Sequence, residues 1–254
     1  VLEDALVGID HVLFAGGGLL PPLAAASPFA DVTGVLGPLL MTLEALRART
    51  EIGLTYVSSG GTVYGNATEL PVSETAPLRP VSPYGVSRLA AEMYIGMYAR
   101  TFGLSAHIVR CANVYGPGQR HDRTQGAVAV FLHRVAAGMP VTIIGDGATT
   151  RDYVYVEDVA RALTLLIVQS VDFDVVNLGS GHGQTVMEVL EVVSRVVGLP
   201  ALLDFQPRRD QDVESIVLDI SKLRSLVDFK PTPFEMGVTR TWEASRVVGA
   251  AAGP

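Results

Sequence analysis

The sequence predicts an α/β fold: a parallel sheet buried on both faces, followed by a smaller α/β region. Two observations carry this. Short, nearly continuous apolar runs, "IDHVLFA" (9–15), "GLTYVSS" (53–59) and "SAHIVRCAN" (105–113), alternate with longer stretches of helical spacing, the pattern of βαβ units. After about residue 115 the elements become shorter and more closely spaced, which sets the second region apart.

The first run is read as a buried strand that closes in a turn at Gly16-Gly17-Gly18. "GVLGPLLMTLEALRAR" (34–49) takes helical spacing in its second half, and "GLTYVSS" is a β-branched strand bounded by glycines. Ser82 and Pro83 supply an N-cap and a first-turn proline for a helix over 83–102. Beyond it come a helix over 125–137, a strand at "VTIIG", a helix over 156–169, a strand at "VVNLG" and a helix over 185–197. "DFQPRRDQDVESIVLDISKLRSLV" reads as strand, loop, strand and short helix, and a last helix runs from about 233 to 247. No repeat or low-complexity linker intervenes, so the second region is expected to pack directly on the first.

The chain has 254 residues, 48% of them hydrophobic and 18% charged, which is enough for a substantial core. Its net charge of −7 argues against nucleic acid or an anionic membrane as partner. An anionic small ligand needs only a local cluster of arginines. Lys222 and Lys230 are the only lysines among 19 basic residues. One cysteine, Cys111, excludes an internal disulfide and fits a reducing compartment. The run nearest to a membrane span, "HVLFAGGGLLPPLAAASPFA", is broken by its glycines and prolines and by Asp31. No signal peptide is evident, so a cytoplasmic protein is expected. No metal site is assigned. The chain opens at Val1 and almost at once enters a strand, and is expected to be a piece whose front is missing.

Tyr84 and Arg88 stand four residues apart at the start of the 83–102 helix, so both emerge on one face. An ordinary phenol titrates near pH 10, so acting as a base near neutrality takes about 4 kcal/mol of phenolate stabilisation. A unit charge about 4 Å away at an effective dielectric near 20 supplies roughly that much. Such a pair can therefore make a general base. Taken alone, Tyr-x-x-x-Arg is an ordinary surface pair on a helix. It does not stand alone: "TYVSSGGTVYG" (55–65) ends a parallel strand in small hydroxyls and glycines, where open α/β sheets bind ligands. "RCANVYGPGQ" (110–119) ends the next strand in a turn, and "IIGDGATTRDYVYVEDVA" (143–160) and "RRDQDV" (208–213) set arginines beside acids.

In this order, "SSGGTVYG", "SPYGVSRLAAE", "RCANVYGPGQ", "GDGATTRDYVYVEDVARAL", "NLGSG" and "RRDQDV" followed by "LDISKLRSL" resemble the extended short-chain dehydrogenases/reductases, above all the nucleotide-sugar epimerases. The resemblance runs from about residue 5 to residue 245. It implies a Rossmann-type, doubly wound parallel sheet that binds NAD, over 1–115, with its first βαβ part absent from this chain. A smaller α/β C-terminal domain for a nucleoside-diphosphate sugar would cover 116–254, with some segments returning to the first sheet. It implies a 4-epimerase acting by transient oxidation and re-reduction at the sugar's C4. Tyr84 would be the base, Arg88 would occupy the family's lysine position, and Gly16, Ser58, Ser59 and Cys111 would join them on the cofactor side. Asn113, Gly126, Arg151, Tyr153, Arg209 and Asp212 would meet the nucleotide sugar. A homodimer is expected through the helices at 34–49 and 83–102.

Three departures from the family stand out. The glycine-rich turn of the first βα unit is absent, and "AGGGLLPP" does not replace it, because no helix is expected directly after it. The family's catalytic Ser/Thr position is Gly60; in an extended segment Thr62 points the same way as Gly60 and is the expected substitute. Arginine replaces lysine at 88. Arg88, Gly60 and the missing front leave a catalytically silent homologue, binding a nucleotide sugar or a partner, as the alternative; a reductase also stays open. A dehydratase is disfavoured, since Gly61-Thr62 stand where that group carries Asp-Glu.

Overall fold

A computed structural model describes residues 2–122, 126–169, 173–207 and 213–251. The first part runs α1 (Leu2–Ala5), β1 (His11–Phe14), α2 (Pro21–Ala26), α3 (Pro28–Leu46), β2 (Gly53–Ser59), α4 (Pro83–Phe102), β3 (Ala106–Cys111) and β4 (Asn113–Tyr115). Then come α5 (Ala127–Ala136), β5 (Val141–Ile144), β6 (Thr150–Tyr155), α6 (Val156–Ile167), β7 (Phe173–Leu178) and β8 (Gly183–Thr185). The chain ends with α7 (Val186–Val197), β9 (Leu203–Gln206), β10 (Ser215–Ile216), α8 (Ser221–Leu226) and α9 (Phe234–Ala251).

The main sheet has the order β1-β2-β3-β7, and every pairing in it is parallel. Its two faces carry separate cores. On one, α3 and α4 bring Val35, Leu39, Leu43, Ala91 and Ile95 against Leu54 and Ile108. On the other, α6 and α8 bring Val159, Leu163, Leu166 and Leu223 against Val109, Val176 and Leu178. A third core joins α5, α7 and α9 through Phe131, Leu132, Val189, Val193 and Val238.

The α4 helix forms where its caps place it. Ser82 Oγ accepts from the Gly85 amide at 3.2 Å, Pro83 occupies the first turn, and Gly103 ends the helix at φ 73°. A polar N-cap of this kind contributes about 1 kcal/mol.

Four elements differ from the sequence reading. The α3 helix begins at Pro28, not in the second half of 34–49, and continues through Pro38. Gly34, Gly37 and Pro38 hide it, and burial of Val35, Leu39, Leu43 and Leu46 overrides their low propensity. Its full length and composition do suffice for a membrane span, against the sequence reading, yet those residues pack on the sheet. The 105–113 strand is two: the chain leaves the main sheet at Ala112, and β4 pairs instead with β6. The β6 strand itself lies in a stretch read only as a motif. Finally, β1 is an edge strand of the main sheet among the described residues, as β7 is at the other side, and is half-buried, with Leu13 45% exposed.

Candidate active site

The C-terminal ends of β1, β2 and β3 open onto a cleft of about 510 Å³. Gly17, Gly18, Ser58, Ser59, Tyr84, Arg88 and Cys111 line one side of it, and Asn113, Gly126 and Tyr153 the other. A short helix does follow the glycine run after all: α2 opens with Pro21-Pro22 and adds Leu23 to the cleft wall.

At its centre, Arg88 lies with its Cζ 4.5 Å from the centroid of the Tyr84 ring. Its Nη2 donates to the Gly17 carbonyl at 2.8 Å. The side chain is buried, and Nε lacks a hydrogen-bond partner among the described residues. The hydroxyl of Tyr56, also buried, lies close by without reaching hydrogen-bond geometry. Burial works against the arginine's charge, but the phenols of Tyr84 and Tyr56 and the carboxylate of Asp31 outweigh it and raise its pKa.

The hydroxyls on β2 are arranged differently from expectation. The strand ends at Ser59 and turns at once, with the amides of Thr62 and Val63 both donating to Ser59 O at 3.1 Å. The segment is therefore not extended. Thr62 Oγ1 folds back onto the same carbonyl at 3.4 Å, and Thr62 is absent from the cleft lining, as is Gly16. Ser59 is the hydroxyl residue at the cleft. Ser58 also borders it, but its own hydroxyl donates to Glu92, which forms a buried ion pair with Arg110 at 2.7 Å. A Cβ on Gly60 would lie 2.6 Å from Leu218 Cδ1 and 2.9 Å from the Arg110 carbonyl oxygen, so that position faces packed atoms.

On the far side, Asn113 and Tyr153 are register partners in the β4–β6 pair. Gly61 adjoins them: a Cβ there would meet Asn113 Oδ1 at 3.1 Å. Burial pushes the Tyr153 phenol up to about 12 and the Cys111 thiol likewise to about 12, so both stay neutral. Gly126 holds φ 99° ahead of α5, packed against the Gln119 side chain. Arg151 lies outside the cleft lining; its Nη1 donates to the Thr150 and Glu214 carbonyls at 2.9 and 3.3 Å. Arg209 and Asp212 lie outside the described residues. The "NLGSG" motif serves the fold. Asp152 accepts the amides of Ser180, Gly181 and Leu218 at 2.7, 3.1 and 3.2 Å, which ties β6 to the end of β7.

Sequence reasoning reads the turn at 16–18 and the break at Asp31, but misses that Gly17, Gly18, Asp31 and Tyr56 gather around Arg88. A signal for Asp31 is present: it is the only Asp, Glu, Lys or Arg between Asp10 and Glu44.

A tyrosine and a cation one helical turn apart, facing the C-terminal ends of a parallel sheet, define a site of the short-chain dehydrogenase/reductase type. The chain belongs to the NAD dependent epimerase/dehydratase family, which it matches over residues 7–179. It is 36% identical over 184 residues to the putative UDP-glucose 4-epimerase of Methanocaldococcus jannaschii; that alignment takes in 72% of this chain and 60% of the relative. It thus spans less than two thirds of that relative's length. Among solved structures it resembles the UDP-glucose 4-epimerase of Thermotoga maritima with UDP-glucose, at TM-score 0.92 and 31% identity over 97% of this chain and 81% of that one. The Thermus thermophilus UDP-glucose 4-epimerase in complex with NAD gives TM-score 0.90 and 34% identity, over 96% and 81%.

Proposed function

We propose that the chain carries the catalytic cleft of a NAD-dependent nucleotide-sugar 4-epimerase. The observation that supports this most is the stacked Tyr84–Arg88 pair inside the cleft, in a chain of this family. The cofactor's nicotinamide end fits the residues present. Gly17 and Gly18 border the cleft and let the turn pack directly on α3, since a Cβ on Gly17 would lie 3.0 Å from Gly34 O and one on Gly18 2.5 Å from Val35 Cγ2. Gly17, Gly18, Ser59, Tyr84 and Arg88 would hold it, and NAD when bound supplies the electron-pair acceptor and donor.

Tyr84 Oη takes the proton of the sugar hydroxyl and later returns it, while Arg88 favours the phenolate electrostatically. Asn113 and Tyr153 orient the sugar from the opposite side. Arg151 and Arg209 belong to the diphosphate end, where a guanidinium fork suits phosphate oxygens, and Asp212 to the sugar-nucleotide pocket. A homodimer through α3 and α4 completes the reading.

The test is direct. Incubated with NAD and either UDP-glucose or UDP-galactose, or another 4-epimeric pair, the chain interconverts the two sugars. Binding of a nucleotide sugar without turnover of any pair sinks the epimerase and favours the silent homologue, which Gly60 and Arg88 otherwise support.

A further inference from the structure

Asp31 is fully buried in α3, in a helix whose other inward residues include Val35, Leu39 and Leu43. A carboxylate there is costly unless partners offset its desolvation. Of its two partners, Leu19 lines the cleft and Ser87 adjoins Arg88, which lines it. Oδ1 accepts the Leu19 amide at 2.8 Å, and Oδ2 accepts the Ser87 hydroxyl at 2.6 Å. Ser87 immediately precedes Arg88, and Leu19 follows the Gly17 whose carbonyl Arg88 holds. A Cβ on Gly18 would lie 2.7 Å from Asp31 Oδ1 and 2.9 Å from Arg88 Nη2. Carboxylate and guanidinium therefore face one another across a residue that has no side chain, and Gly18 itself sits at φ 76°.

We propose that Asp31 is the positioning residue for Arg88, acting through it as a buried counter-charge that tempers the positive field which the guanidinium, held by the Gly17 carbonyl, exerts on the Tyr84 hydroxyl. The inference rests on reading Tyr84 as the base of the cleft. It also accounts for arginine at 88. A planar fork donates to the Gly17 carbonyl and lies over the Tyr84 ring at once, with Asp31 facing it across Gly18, whereas an ammonium is a single point of charge.

Asp31→Asn keeps the shape and the acceptor for Leu19, and Ser87 Oγ retains the Pro83 carbonyl at 3.0 Å. It removes the negative charge alone, so the net positive field at Tyr84 rises and the phenol ionises at lower pH. In the whole chain carrying tyrosine labelled with carbon-13 at Cζ, the Tyr84 resonance is the one missing from Tyr84→Phe. Its midpoint in Asp31→Asn falls about one pH unit below that of the unchanged chain, and the acid limb of kcat moves the same way. A midpoint that stays put or rises overturns the proposal. So does a uniform loss of rate with no movement of the limb, which marks a merely structural residue. The titration needs no substrate: a shifted midpoint in a chain that turns over no sugar leaves the positioning role standing and removes the epimerase reading. Should Asp31→Asn not fold, the double change Asp31→Asn/Arg88→Met decides. Removing both charges together returns folded protein if they are counter-charges; if it stays unfolded, Asp31 serves only the turn at 17–20 and the proposal fails.

Discussion

The guanidinium of Arg88 lies over the ring of Tyr84, its Cζ 4.5 Å from the centroid, and is pinned there by the Gly17 carbonyl at 2.8 Å. The cation thus approaches the phenol from its ring face, within the range where a guanidinium is attracted to an aromatic quadrupole. Tyr84→Phe keeps the ring and the stacking and removes only the proton acceptor. Its kcat should fall by about 10²–10⁴-fold, with nucleotide-sugar affinity within about threefold of the unchanged chain. Arg88→Met should lose turnover too, and should lower stability in urea titration, because Asp31 is left buried without the nearby positive charge. Equal stability in Arg88→Met would show that the two charges are not coupled.

Gly60 stands where the family carries a hydroxyl, but its surroundings are closed. A Cβ would come within 2.9 Å of the Arg110 carbonyl oxygen and 2.6 Å of Leu218 Cδ1; the leucine tip can move, the backbone oxygen cannot easily. Gly60→Ser should therefore destabilise the chain by about 1–3 kcal/mol through overpacking without raising the rate. Ser59→Ala, at the cleft, should lower turnover instead. A faster Gly60→Ser variant of unchanged melting temperature would show that the position opens toward the substrate.

Much of this site is legible in the sequence because short-range chemistry fixes it. Ser82, Pro83 and Gly103 bracket α4 by capping alone, and that bracket sets Tyr84 and Arg88 on one face. The expectation for Thr62 fails for a tertiary reason: period-2 alternation holds only while the strand lasts, and β2 turns at Ser59, where the Thr62 amide folds back onto its carbonyl. Asp31 reads in sequence as a residue that interrupts an apolar run. Its carboxylate makes sense only once α3 and α4 are side by side, with Ser87 56 positions away in sequence. The β6 strand is hidden because Arg151 and Asp152 break its apolar character, although Asp152 is buried by four hydrogen bonds from residues beyond 177.

His107 gives the fold a pH dependence. It lies in β3 between Thr55 and Asp174, is 2% exposed, and neither ring nitrogen reaches a hydrogen-bond partner among the described residues. Burial lowers its pKa, against the opposing influence of the Gln169 and Leu166 carbonyls and Asp174, while Lys222 reinforces the lowering. His11 is also lowered by burial and, in smaller part, by His107. The unfolded chain then binds these protons more tightly than the folded one. Stability is full above about pH 6.5 and declines as the pH falls toward the folded pKa, by at most about 1.4 kcal/mol per pH unit for each group. Urea midpoints measured from pH 7.5 down to 5 should show this slope, and His107→Val should flatten it. An identical slope in the variant would assign the acid sensitivity elsewhere.

The outer faces of α3 and α4 carry the last expectation. Phe29 and Met41 on α3 are 80% and 67% exposed, and Val86 and Met93 on α4 are 53% and 68% exposed. Met93 continues toward the half-buried Leu89 and Met97, so apolar side chains follow the 3–4 residue spacing of one helical stripe. Tyr98 does not extend that stripe: it is buried and its hydroxyl donates to Glu44. Two such helices per chain, laid against their copies about a two-fold axis, make a four-helix bundle in which each stripe covers its counterpart. Light scattering at micromolar concentration should return the mass of a dimer. Met93→Glu should return that of a monomer, since a charge at the centre of such an interface is left without a partner. Met41→Glu should act the same way from the neighbouring helix, whereas Met139→Glu, exposed but on the far region of the chain, should leave the dimer intact. A monomer in the unchanged chain, or a dimer that survives both α3 and α4 changes, would place the contact on some other face.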